Sequence, residues 1–162
     1  MSADIAKPAI STAQDGWNFN LPADQLTQLC ARTLAQAETA FLAIEEDQTP
    51  ATLQSVFGAY DAMNIGLQAI EHVWYLSAVH PDLTIQAAAE DCINDVSDFI
   101  AATDLSPRFY QRVAAIDLEH ASAAERLMVD KKLIAFRQAG VDQEQAVRDQ
   151  VRELMAEITE LG

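Results

Sequence analysis

Apolar residues recur at three- and four-residue steps from Leu26 almost to the C-terminal residue, and no strand-like alternation lasts more than a few positions. That spacing puts one stripe of each segment on a common helix face and predicts an all-α protein. Behind Pro22, the residues Leu26, Leu29, Cys30, Thr33, Leu34, Ala37, Phe41 and Ile44 form the first stripe and predict a helix ending near Asp47. Proline suits the first turn because the N–H it lacks has no partner there. Thr49-Pro50 repeats this signal and opens a second run, in which Leu53, Val56, Phe57, Tyr60, Met63, Leu67, Ile70 and Trp74 share a face as far as Val79. A single helix over that run would be ~40 Å long at 1.5 Å per residue. Pro81 ends it, since the residue before a proline is pushed out of helical geometry.

A third helix is expected from about Asp82, burying Ile85, Ala88, Ala89, Cys92, Val96, Phe99 and Ile100. Ser106-Pro107 starts a shorter one carrying Phe109, Tyr110, Val113 and Ile116. Ser122 and Glu125 have the S-x-x-E spacing of a capping box, after which Leu127, Met128, Ile134 and Ala135 fall on one face. Gly140 is placed as a left-handed stop. Asp142 and Gln145 restart the chain, and Val147, Val151, Leu154, Ile158 and Leu161 carry a heptad-like stripe onward. The prediction is a bundle of about six helices, mostly long and antiparallel, with short connections. Residues 1–16 lack periodicity and read as a loose leader anchored by Trp17 and Phe19, with a single helical domain over 17–162.

With 162 residues, half of them apolar, the chain has room for one core. Ten cations against 25 acids give a net charge of −15. The cations are confined to Lys7, Arg32 and the region from Arg108 onward, so the span from Thr33 to Pro107 has neither Lys nor Arg. Such a surface repels a phosphate backbone and excludes nucleic acid as a partner. The acids read as solvated helix faces, with an acidic wall that attracts cationic peptides as the alternative. Cys30 and Cys92 lie on apolar faces without C-x-x-C spacing and read as buried reduced thiols, which points to a reducing compartment. No N-terminal signal core and no run of ~18 to 20 apolar residues occurs, so the expected location is the cytoplasm and no membrane partner is expected.

Candidate chemistry is sparse. His72 follows Glu71 and His120 follows Glu119, but adjacent helical residues diverge by about 100° and cannot converge on one metal. His80 suits a helix end, near the negative pole of the dipole. A di-iron bundle needs two Glu-x-x-His pairs, and no Glu here has His three residues later. Glu90, Asp91, Asp95 and Asp98 fall opposite Cys92, Val96 and Phe99 and read as a solvated face. There is no G-x-S-x-G, P-loop or Gly-rich phosphate cradle. No catalytic, cofactor-binding or metal-ligating residue is therefore assigned. Phe57, Tyr60, Trp74 and Tyr75 read as a core stripe, with a peptide-contacting wall as the alternative.

Three blocks add a resemblance: His80-Pro81-Asp82-Leu83-Thr84-Ile85-Gln86-Ala87-Ala88-Ala89-Glu90-Asp91-Cys92, then Arg108-Phe109-Tyr110-Gln111-Arg112-Val113, then Ala135-Phe136-Arg137-Gln138-Ala139-Gly140-Val141-Asp142. In this order they resemble the helical N-terminal region of the thimet oligopeptidase family of zinc metallopeptidases, which includes neurolysin and bacterial oligopeptidases. The resemblance runs from about Asn18 to Leu161. It implies helices that form one wall and lid of a deep channel, with the zinc motif H-E-x-x-H in a C-terminal catalytic part. This chain has no H-E-x-x-H, so no catalytic residue is carried over and zinc is expected only in the parent enzyme. Gln143-Glu144 departs from the Leu-Pro that many relatives carry. The implied partners are the catalytic part itself and, through the complete enzyme, short peptides. The alternative is a stand-alone helical module that binds a partner through an exposed apolar groove. A homodimer through the 147–161 stripe is a further expectation.

Overall fold

The computed structural model describes residues 18–161, and every regular element among them is helical. The leader 1–16, Trp17 and the Leu161 side chain lie outside the described residues. Seven α-helices follow in order: α1 (Ala23–Glu46), α2 (Ala59–Leu67), α3 (Val73–Val79), α4 (Leu83–Asp104), α5 (Pro107–Ala114), α6 (Ala123–Ala139) and α7 (Gln145–Leu161). No helix among the described residues is long and apolar enough to cross a membrane.

The starts of α4, α5 and α6 are set by the side chains that the sequence placed there. Asp82 caps α4 by accepting the Thr84 N–H at 2.9 Å. Ser106 caps α5 in the same way through Phe109 N–H, with Pro107 next in line. Ser122 and Glu125 close a complete capping box over α6, and Gly140 ends that helix with φ 96°. Restart of the chain comes at Gln145 rather than Asp142.

The second segment differs from the single long helix expected. A short π-helical stretch, Gln54–Gly58, leads into α2, and a 3₁₀ turn, Gln68–Ile70, separates α2 from α3. Thr49 is not its cap: the Thr49 N–H and hydroxyl both donate to Asp47, while Thr52 and Ser55 bond reciprocally at the true start. Each 3₁₀ residue turns the chain by about 120° instead of about 100°. From Gln68 to His72 the excess accumulates, so His72 is turned inward and Trp74 outward. His72 is 1% exposed and Trp74 52% exposed, which overturns the placement of Trp74 and Tyr75 in a core stripe.

Helix α1 runs against both α2 and α4, and α3 lies along α4. Two apolar clusters result. One joins Leu26, Cys30 and Leu34 of α1 to Ile70, Val73 and Leu76 and to Ile85, Ala88, Ala89 and Cys92 of α4. The other is centred on Phe109, which packs edge-on against Phe41 and Phe136 and stacks on Tyr60 at 4.9 Å. Lys132 crosses this aromatic group, 4.7 Å from the Phe136 ring centre, while holding Asp104 at 2.9 Å.

Three further expectations are corrected. Cys30 and Cys92 are a disulfide, not free thiols: packing of α1 on α4 brings their Cα atoms to 5.8 Å across 62 residues of chain. The inference of a reducing compartment from free thiols lapses with it. Ile100 is 44% exposed rather than buried. On α6 the inward residues are Val129 and Phe136, whereas Leu127, Met128, Ile134 and Ala135 face solvent.

Candidate functional site

The outward turn of Trp74 creates the most distinctive surface feature. Between the α2–α3 segment and α4 lies an open groove of about 190 Å³, walled by Asn64, Leu67, Glu71 and Trp74 on one side and by Ile93 and Ile100 on the other. Its floor includes Ile70 and Val73, both fully buried. The floor belongs to the disulfide-bonded cluster, so the groove is mounted on the most cross-linked part of the core. Tyr75 and Val79 extend the exposed apolar surface along α3.

Every residue of the groove comes from positions 64–100, inside the span without Lys or Arg. Glu71 stands in its wall. Such a surface is apolar at its base and negative around it, which suits binding and offers no nucleophile or proton-transfer pair.

Directly behind the groove, His72 is buried with neither ring nitrogen hydrogen-bonded, and the Phe19 ring meets it edge-on at 5.9 Å. Burial holds its pKa below the ordinary histidine value, so the imidazole is neutral at pH 7. It is a core residue and does not enter the groove wall.

A second polar constellation joins the end of α1 to α5. Arg112 donates to Asp47 at 2.7 Å and to the Thr49 carbonyl at 2.7 Å, Ser106 donates to Glu45, and Arg108 lies 4.0 Å from Glu46. The Asp47 carboxyl is held below its usual range, first by the Thr49 backbone N–H, then by the Thr49 hydroxyl, with a smaller pull from Arg112. These contacts clamp the loop between α1 and the π-helical stretch onto α5, with the Arg112 Nε left unpartnered. The arrangement is a clasp rather than a reaction centre.

The other residues weighed from sequence do not come together. Glu90, Asp91, Asp95 and Asp98 are all exposed along α4, and His120 is exposed in the loop before α6. His80 accepts the Asp82 N–H at 3.1 Å and serves the turn into α4. Among the described residues no group of three or more His, Cys, Asp or Glu could hold a metal ion. Phe57 and Tyr60 are half-buried against the Phe109 cluster, as the core reading expected. The lining of the groove was not placed from sequence, but its aromatic edge corresponds to the alternative reading of Trp74, with Tyr75, as a peptide-contacting wall. Compared with known proteins, the chain matches no protein-family model and no curated protein.

Proposed function

We propose that this chain is the substrate-gating N-terminal region of a zinc-dependent oligopeptidase that hydrolyses short peptides, supplying walls and contacts but no reacting group. The observation that carries the reading is the α3–α4 face: a tryptophan, a tyrosine and branched aliphatic side chains exposed together on a disulfide-linked part of the bundle without Lys or Arg. Solvent-exposed apolar surface of this kind marks a contact site more often than it marks packing. The three blocks of resemblance support it from the sequence side, since they coincide with the turn into α4, with α5, and with the α6–α7 connection.

In such an enzyme the C-terminal catalytic part would hold the zinc, which would supply a Lewis acid for the peptide carbonyl and for an activated water. The residues of this chain would hold peptide backbone and side chains, keep bulk water away and restrict access to short substrates. The test is hydrolysis of an internally quenched short peptide by the product of the entire reading frame that encodes these residues. The expected result is cleavage that a chelator abolishes and zinc restores, with none by residues 1–162 alone. Chelator-resistant cleavage, or none at all by the longer product, would contradict the proposal.

The same groove favours a second reading, a helical module that docks a partner segment without any enzyme attached. A reading frame without H-E-x-x-H would favour that module.

A further inference from the structure

We infer that the α3–α4 groove captures peptides through one large apolar side chain flanked by Lys or Arg. The inference rests on the reading of this face as a peptide-contacting wall, but not on the presence of zinc or on hydrolysis. Its apolar half follows from shape: a groove of about 190 Å³ with Ile70, Val73, Ile93 and Ile100 around it suits a single Leu- or Phe-sized anchor rather than a whole helix face. The amides of Asn64 and Gln68 stand at the edge, where they can bond to the backbone of an anchored peptide.

The cationic half follows from charge. Residues 33–107 contain 12 acids and no Lys or Arg, and all groove walls come from within that span. Glu71 is in the wall, and Asp61 lies three residues before Asn64, on the same side of α2 and exposed. Trp74 is half-exposed at the groove, and a Lys or Arg placed over its ring is attracted by the ring quadrupole. Among the described residues Glu71 forms no ion pair, and Lys132 and Arg152 are paired with Asp104 and Asp149 instead. A second copy of this chain, at −15, and an acidic peptide are both repelled.

The experiment is calorimetric titration of the chain with two short blocked peptides that share a central Leu-Phe and differ only in Lys or Glu flanks, with amide shifts in NMR spectra to locate the contact. The lysine peptide should bind at least about tenfold more tightly, with affinity falling as salt rises. Shifts should cluster on α3 and the Ile93–Ile100 part of α4. Glu71→Lys should remove most of the charge preference, and the uncharged truncation Ile100→Ser should weaken both peptides. Both positions are exposed, so an unchanged melting temperature shows that the fold is intact. Equal affinities for the two peptides, no binding of either, or shifts confined to α7 would overturn the inference. Because hydrolysis plays no part here, this failure is distinct from failure of the peptidase assignment.

Discussion

His72 and Trp74 exchange the environments that a regular helix would give them, and the two residues carry opposite consequences for stability. Trp74→Ala removes a half-exposed ring and should cost under about 1 kcal/mol, whereas Phe109→Ala empties the centre of the aromatic cluster and should cost about 3 to 5 kcal/mol. Urea unfolding of the two variants checks the contrast. His72 makes stability depend on pH. Its folded pKa is depressed, so the unfolded chain binds the proton more readily, and stability is lost as pH falls from the unfolded value of about 6.5 toward the lower folded one. Denaturation midpoints measured from pH 7.5 to 5 should fall for the wild type and stay flatter for His72→Leu. Equal slopes would show that His72 is not the group responsible. At this scale the sequence was legible where a side chain acts on its own backbone: Asp82, Ser106, Ser122 and Gly140 do what their types and positions dictate. The exchange of His72 and Trp74 was not legible, because it depends on a few tens of degrees of accumulated rotation that no residue type announces.

At the scale of elements, α1 and α4 form the frame on which the rest is arranged. Their stripes of apolar residues were readable from Leu26 to Ile44 and from Ile85 to Cys92 because a long helix packed on one side keeps a clean period. Faces of α6 were misassigned since two apolar sets compete there, and the ring cluster around Phe109 selects Val129 and Phe136 through contacts distant in sequence. The disulfide was equally hidden, as only the register of α1 against α4 decides whether Cys30 meets Cys92. Cross-linking residues 62 apart restricts the unfolded chain and contributes about 2 to 4 kcal/mol. A Cys30→Ser, Cys92→Ser double variant should unfold at correspondingly lower urea and no longer respond to reductant. If reductant leaves the wild-type midpoint unchanged, the bond makes no such contribution.

For the whole molecule, net charge and unpaired apolar surface act against each other. Helix α7 lies along α4, yet Val147, Leu154 and Ile158 are 40%, 57% and 70% exposed and Val151 is half-buried. This stripe predicts weak pairing of α7 with its own copy, opposed by the −15 charge and therefore strengthened by salt. Sedimentation should show association of the wild type rising with salt and absent in Leu154→Glu, Ile158→Glu. A wild type that stays monomeric at every salt concentration would remove the homodimer. The larger claim is that the α3–α4 face touches peptide. It is tested most directly by placing a photo-crosslinking phenylalanine at position 74, and for comparison at position 127 on α6, in the product of the complete reading frame, then irradiating with a labelled short peptide. Covalent capture from position 74 that an unlabelled peptide competes away, and none from position 127, is the expected result. Capture at neither position, or equally at both, would contradict it.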